Sequence, residues 1–168
     1  YVYVDKTALI HKLVTEGKIY FLSRPRRFGK SLLVSTLKNY YLGKKELFKG
    51  LAIDALEKDW AEYPVFHLSF GGENFTETGT LEDKINTALS NWEGIYGLSS
   101  VSKKMGGRFQ AVLKAAHEKT GRRTVVLIDE YDKPILDVLD TGYTTTIEGD
   151  KRLLEDQHRE ILKGFYSV

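Results

Sequence analysis

The sequence predicts an α/β fold with a mostly parallel sheet flanked by helices. Three short apolar runs, at residues 18–22, 65–70 and 124–128, have the length and the β-branched or alternating pattern of strands. Stretches with apolar residues at helical spacing separate them, and such alternation is typical of parallel sheets. The 168 residues are enough for one domain with a hydrophobic core.

Composition excludes several classes of protein. Hydrophobic residues make up 42% and charged residues 29% of the chain, which is typical of a folded globular protein. The net charge of +2 gives no general attraction to nucleic acid or to a membrane surface. The chain has no Cys, which excludes disulfides and thiolate metal sites and fits the cytoplasm. No apolar run is long enough to cross a bilayer, so we expect no membrane partner.

The first part of the chain predicts two helices around the first strand. Apolar residues form one stripe over residues 9–14, so a helix is expected from Asp5 or Thr7, either of which can cap it, to about residue 16. Residues 18–22 (KIYFL) are expected to form a core strand, and a helix over residues 30–41 follows.

The second part predicts further strands and helices in alternation. Helices are expected from Thr80, with a capping box, and over residues 101–119. The apolar run at 124–128 suits a strand buried on both faces, and Pro134 suits the start of a short helix at 134–139. Residues 141–149 are expected to form a loop, and Asp150 to cap the last helix.

A phosphate-binding turn is predicted where the run 18–22 meets the helix that begins near Lys30. Gly29, Lys30 and Ser31 match the end of a P-loop, in which backbone N–H groups at a helix start attract phosphate oxygens. Lys30 would neutralise the β- and γ-phosphates, and the Ser31 hydroxyl would complete a Mg²⁺ shell. The usual pattern has a glycine where this chain has Arg24, so the tripeptide alone is weak evidence.

The strand at 124–128 supplies the second half of a nucleotide site. It is followed by Asp129 and Glu130, and the carboxyl ends of parallel strands are where ligands bind. Asp129 can hold Mg²⁺ through water, and Glu130 can polarise the attacking water. The alternative is an ordinary buried strand whose acids cap the next helix. The two motifs in one alternating chain favour nucleotide binding.

The Asp-Glu pair also indicates the kind of P-loop protein. Glu130 directly after Asp129 marks the branch of the AAA, RecA-like and signalling ATPases, whereas kinases and GTPases usually lack the Glu. In that branch a central strand with a sensor residue follows the Asp-Glu strand in sequence. We find no core strand after Ile128, so we expect the chain to be a fragment that stops before its sensor strand.

These motifs together resemble the AAA-ATPase-like family of bacterial and archaeal proteins. The resemblance rests on four segments in order: residues 3–7 (YVDKT), 22–31 (LSRPRRFGKS), 63–65 (YPV) and 127–135 (LIDEYDKPI). It implies that residues 1–168 are the N-terminal part of a P-loop ATPase domain related to AAA and STAND ATPases. Members often continue into a C-terminal nuclease-like domain of the restriction-endonuclease type. Arg24 in place of glycine is this family's form.

The resemblance assigns roles to individual residues. Lys30 and Glu130 would be catalytic, and Ser31 and Asp129 would hold Mg²⁺ through the nucleotide and water. The residues expected to bind ATP are Arg26, Arg27, Phe28, Gly29, Lys30, Ser31 and Leu32. Arg24, Arg26 and Arg27 could clamp phosphate oxygens, face solvent, touch nucleic acid or pair with acids. Asp132 could support Mg²⁺ or cap the Pro134 helix.

The sequence therefore predicts an ATP- and Mg²⁺-dependent ATPase that drives a conformational change in an attached effector domain. A nucleotide-gated switch with little turnover, and an ATPase module that regulates a nuclease, remain alternatives. The partner is ATP, a homo-oligomer remains open, and nucleic acid would be contacted only through a C-terminal domain. A small-molecule kinase is disfavoured by Glu130.

Overall fold

A computed structural model describes residues 4–23, 28–99, 102 and 104–167. The chain divides into two compact units, Tyr1–Val65 and Phe66–Val168, each with its own hydrophobic cluster. The architecture is mixed α/β, with a small parallel sheet and helices, as the sequence predicts. Within the described ranges, no helix has both the length and the apolar character needed to cross a membrane.

The first unit is built from short helices around a small core. Its helices are α1 (Thr7–Glu16), α2 (Lys30–Tyr41), a 3₁₀ turn (Lys45–Phe48) and α3 (Ala52–Leu56). Ile10, Phe48 and Ile53 are buried between them. The predicted bounds of α1 and α2 are confirmed.

Asp5 and Thr7 join the start of α1 to the start of α3. The N-cap residue of α1 is Lys6, so the predicted cap at Asp5 or Thr7 is wrong. The Thr7 N–H nevertheless donates to the Asp5 carboxylate, at Oδ1, over 2.8 Å. Its other oxygen accepts the Ala52 N–H at 2.7 Å, and the Thr7 hydroxyl accepts the Ile53 N–H at 3.1 Å. The bond from the Thr7 hydroxyl, followed by those from the Ala52 and Thr7 N–H groups, lowers the pKa of Asp5.

The predicted core strand at residues 18–22 is wrong. These residues have no regular secondary structure, and Ile19 and Phe21 are 94% and 74% exposed. An apolar run becomes a strand only where a neighbouring strand accepts its backbone hydrogen bonds. Among the described residues, no strand pairs with this segment.

The second unit packs helices against a two-stranded sheet. Strand β1 (Val65–Ser69) pairs with β2 (Val125–Asp129). Between them in sequence lie α4 (Thr80–Tyr96) and α5 (Met105–Thr120), and α6 (Lys133–Leu136) and α7 (Leu154–Tyr166) follow. The core is aromatic: the Phe109 ring stacks on Trp92 and on Phe165, with centroids 5.6 and 4.8 Å apart.

The two strands of this sheet run parallel. The N–H of Phe70, directly after β1, donates to the carbonyl of Asp129, the last residue of β2, at 3.1 Å. The carboxyl ends of both strands therefore lie side by side. The prediction that β2 is buried on both faces is wrong, because Val126 is 40% exposed and no residue of β2 is fully buried.

A hairpin replaces the predicted loop at 141–149 and the predicted cap at Asp150. Strands β3 (Thr144–Ile147) and β4 (Asp150–Leu153) pair antiparallel, with Ile147 opposite Asp150. The connecting Glu148 and Gly149 both have positive φ, 52° and 90°, which is typical of a two-residue hairpin turn. Helix α7 consequently begins at Leu154, four residues later than Asp150.

A nearly buried ion pair fastens α5 to α4. The Arg108 Nε and Nη2 atoms donate to the two carboxylate oxygens of Glu93, each at 2.8 Å, and Nη1 donates to Asn86 Oδ1 at 2.7 Å. The side chains of Arg108 and Glu93 are only 12% and 10% exposed. The hydrogen bonds from Arg108 lower the pKa of the Glu93 carboxyl.

Replacing Arg108 by Met should destabilise the protein strongly. Glu93 would remain buried without its partner, so we expect the free energy of unfolding to fall by about 3 kcal/mol in urea denaturation at neutral pH. Lys114→Met on the same helix is the control. It removes an exposed pair with Glu118 and should change the free energy by less than about 0.5 kcal/mol.

The same pair predicts the direction of a pH effect. Because the pKa of Glu93 is lowered in the folded state, the stability it contributes is present above its unfolded pKa and is lost as pH falls through the folded value. The difference in stability between wild type and Arg108→Met should therefore narrow in acid. A difference that widens as pH falls would contradict the assignment.

Candidate functional site

The predicted phosphate-binding turn lies at the start of α2. Gly29 is the N-cap residue, with φ of 75°, and its carbonyl accepts the Leu33 N–H at 3.0 Å. A positive φ favours glycine, so the glycine of the motif is required by the backbone. The first N–H groups of a helix generally lack an intrahelical carbonyl partner, so those at the start of α2 are suited to face an anion.

The side chains around this turn are accessible. Lys30 is partly buried, Ser31 is exposed, and Phe28 and Leu32 are 64% and 59% exposed. Lys30 and Ser31 occupy the first two positions of α2, where the helix dipole is positive. Arg24, Arg26 and Arg27, which are predicted to lie beside the nucleotide, fall outside the described residues.

Asp129 ends β2 at the carboxyl edge of the parallel sheet, as predicted. Its Oδ1 atom accepts the N–H of Glu130 at 3.0 Å, which fixes the carboxylate over the turn that follows the strand. The residue is half-buried. This is the position at which α/β proteins bind ligands.

Glu130 has an unusual backbone and a defined side-chain position. Its φ is 52°, in the left-handed region that non-glycine residues seldom adopt, and its carbonyl accepts the Lys133 N–H at 3.0 Å. The carboxylate lies against Gly71: a Cβ built on Gly71 would be 3.1 Å from Glu130 Oε1. Strained residues of this kind cluster at functional sites.

Helix α6 carries the residues after Glu130 and is anchored from two sides. The buried His158 ring of α7 contacts the Pro134 carbonyl through Nδ1, at 2.8 Å. Lys133 pairs with Asp137, whose carboxylate also accepts the Phe75 N–H at 3.2 Å. The turn with Asp129 and Glu130 is thus tied to α7 and to the loop after β1.

Asp132 and Tyr131 complete the turn. Asp132 is the N-cap residue of α6 but makes no side-chain cap bond with the described residues, which disfavours the cap, one of the two alternatives for this residue. Its carbonyl accepts the Leu136 N–H at 2.9 Å instead. Burial, and after it the charge of Asp132, raises the pKa of the Tyr131 phenol.

Ser69 and Gly71 are residues of this site that the sequence alone did not identify. They flank Phe70 at the carboxyl end of β1, next to Glu130. The signal was the order of residues 69–72 (SFGG), in which small residues directly follow an alternating strand. These residues belong to the site only because β1 is the neighbour of β2, and the sequence does not show that pairing.

Comparison with known proteins identifies the family. A family model described as "Predicted AAA-ATPase" matches residues 1–168. The chain belongs to the predicted AAA-ATPase family. The resemblance read from its motifs is confirmed at that level.

A curated relative shares much of this predicted AAA-ATPase chain. It is an uncharacterized protein in the vnfD 5′ region of Azotobacter chroococcum mcd 1, 44% identical over 140 residues. The match covers 83% of this chain and 27% of the relative, so the chain spans about a quarter of that protein's length. No solved structure matches.

The predicted site residues of this AAA-ATPase form two groups. Gly29, Lys30 and Ser31 lie together in the first unit, and Asp129 and Glu130 lie together in the second. That the two groups form one site stays a prediction. Among the described residues, no three metal-ligand side chains cluster. Nucleotide-borne Mg²⁺ needs only one or two protein ligands.

Replacing Gly29 by Ala should loosen the start of α2. Among the described residues, no atom lies within 4 Å of a Cβ built there, so we expect the cost to be backbone strain, about 1 kcal/mol. We expect faster hydrogen exchange of the α2 amides in Gly29→Ala and a smaller change in Gly29→Asn, because Asn tolerates a left-handed backbone. Equal hydrogen-exchange protection of the α2 amides in wild type and Gly29→Ala would contradict the requirement for glycine at position 29.

Proposed function

We propose that this predicted AAA-ATPase binds ATP with Mg²⁺ and hydrolyses it to ADP and phosphate. Residues 1–168 would be the N-terminal part of a P-loop domain. The observation that carries the proposal is the placement of Asp129 and Glu130, side by side, at the carboxyl end of a parallel strand. Membership of the family and the left-handed Gly29 before α2 support it.

The start of α2 would hold the phosphates. Backbone N–H groups of the first helical turn, with the positive end of the helix dipole, suit phosphate oxygens. Lys30 would place its charge on the β- and γ-phosphates. Phe28 and Leu32 flank this turn and would contact the nucleotide, with Arg26 and Arg27 as further phosphate ligands.

Mg²⁺ would be held by the Ser31 hydroxyl and, through water, by Asp129. Both are oxygen donors, which this ion prefers, and both are accessible in the structure. When bound, Mg²⁺ supplies positive charge that neutralises the phosphate oxygens. The bond from the Glu130 N–H to Asp129 Oδ1 would keep the Asp129 carboxylate in place.

Glu130 would act as the general base. It is exposed, so its carboxylate can reach a water molecule. The water oxygen attacks the γ-phosphorus, its proton passes to Glu130, and the bond to the β–γ bridging oxygen breaks with its electrons going to ADP. Lys30 stabilises the charge that develops on the phosphate oxygens.

Hydrolysis would drive a conformational change in an attached effector domain. A nuclease regulated by this ATPase is the alternative effector, and nucleic acid would then be bound by that domain. We place the activity in the cytoplasm and leave a homo-oligomer open.

Phosphate release by the full-length protein tests the site assignment. Lys30→Ala should weaken ATP binding and lower turnover by at least about a hundredfold, while Lys38→Ala, on the last turn of α2, should change neither. ATP binding by Lys30→Ala at the wild-type affinity would overturn the assignment.

Glu130→Gln separates an enzyme from a nucleotide-gated switch. The amide keeps the size of the side chain but cannot take a proton, so turnover should fall by about a hundredfold while ATP binding is retained. A wild-type protein that binds ATP without measurable phosphate release would instead establish a switch.

A further inference from the structure

The Glu130 side chain lies in the space that a side chain at position 71 would occupy. A Cβ built on Gly71 would be 3.1 Å from Glu130 Oε1, 3.2 Å from Glu130 Cδ and 3.3 Å from Ser69 Oγ. Such separations are shorter than ordinary van der Waals contacts of a Cβ. The carboxylate is therefore in contact with the end of the neighbouring strand.

The requirement for glycine at position 71 is spatial. The φ of Gly71 is outside the left-handed region, so its backbone conformation is open to any residue. Gly72 is the opposite case, because its φ is 83° and a Cβ there would meet no atom within 4 Å in the part of the chain that the structure describes. At Gly71, what a methyl group would disturb is the Glu130 carboxylate.

The Ser69 hydroxyl is placed to take part in this contact. Its Oγ accepts the Gly71 N–H at 3.2 Å, which closes a tight turn after β1. The same Oγ and Glu130 Oε1 both lie within 3.3 Å of one point beside Gly71. As an acceptor from Gly71, the hydroxyl keeps its own hydrogen for an acceptor such as a carboxylate.

The backbone on both sides of the contact is fixed. The Phe70 N–H bonds the Asp129 carbonyl at 3.1 Å, one residue before Gly71 on one strand and before Glu130 on the other. The left-handed φ of Glu130 begins a turn closed by the Lys133 N–H. The strand pairing and this turn therefore hold the backbone that carries the carboxylate.

We infer that Ser69 and Gly71 are positioning residues that seat the Glu130 carboxylate for its action on water. The inference rests on the proposed function, because it assigns how the proposed base is oriented. A base held by a neighbouring group is pre-oriented toward its proton, and misplacement of such a group lowers the rate of the chemical step. We call Ser69 and Gly71 together the seat of Glu130. Disturbing the seat should lower kcat and leave ATP binding unchanged.

Gly71→Ala tests the seat by displacing the carboxylate by a few tenths of an ångström. We expect kcat for phosphate release by the full-length protein to fall about tenfold, with the KM for ATP changed less than about twofold. Gly94→Ala is the matched control. Gly94 lies on α4, a Cβ there meets no atom of the described residues within 4 Å, and the substitution should leave kcat unchanged.

A double variant shows whether the effect passes through Glu130. In a Glu130→Gln background, Gly71→Ala should change the residual kcat by less than about twofold, because no base remains to be misplaced. An equal loss in both backgrounds would mean that Gly71→Ala acts on the fold, and it would overturn the inference. A rise in kcat would overturn it as well, since the seat would then restrain the base.

Substitutions of Ser69 test the hydroxyl. Ser69→Ala should lower kcat several-fold at constant KM, and Ser69→Thr, which keeps the hydroxyl, should restore it. Failure of Thr to restore kcat, with Ala and Thr equally impaired, would remove Ser69 from the seat. A wild-type protein without ATP turnover would overturn the proposed function and this inference with it. If the wild-type protein hydrolyses ATP and Gly71→Ala leaves kcat unchanged, the inference about the seat is overturned and the proposed function stands.

Discussion

The parallel pairing of β1 with β2 is the interaction on which the candidate site depends. Its last hydrogen bond, from the Phe70 N–H to the Asp129 carbonyl, sets the ends of the strands side by side. The residues that follow, Gly71 and Glu130, are therefore neighbours although they are far apart in sequence. Parallel strands need a long crossover connection, and here α4 and α5 supply it. Asp129, which accepts this bond, and Glu130, which follows it, are the residues proposed to act on Mg²⁺ and on water.

The packing beneath the sheet holds that pairing in place. Phe66 of β1 and Phe70, directly after β1, are buried in the same core as the aromatic side chains of α4, α5 and α7. The Arg108–Glu93 pair fixes α4 against α5, and the contact of His158 with the Pro134 carbonyl fixes α6 against α7. The turn that carries Asp129 and Glu130 thus rests on a rigid support. The side chain proposed as base is itself exposed, as a group that must meet water has to be.

Sequence reasoning found what depends on local pattern and missed what depends on partners. The bounds of α2, the existence of β1 and β2 and the position of Asp129 after a strand followed from periodicity and from the glycine at position 29. The strand expected at 18–22 is absent from the structure, because an apolar run forms a strand only where a neighbouring strand can pair with it. The hairpin after Thr144 was missed because Glu148, a residue uncommon at positive φ, forms its turn with Gly149. Gly71 was missed because its role depends on a residue from another strand.

The central claim of the proposed function is that Asp129 takes part in Mg²⁺-dependent binding of ATP. Its proposed contact to the nucleotide runs through the metal ion, so its effect on binding should appear only when Mg²⁺ is present. The most direct measurement is the dissociation constant of ATP, with and without Mg²⁺, in wild type and in Asp129→Asn. If Asp129 holds the metal ion of the bound nucleotide, Mg²⁺ tightens ATP binding in wild type, and Asp129→Asn loses that tightening while metal-free binding is unchanged. An equal effect of Mg²⁺ on both proteins would contradict the claim.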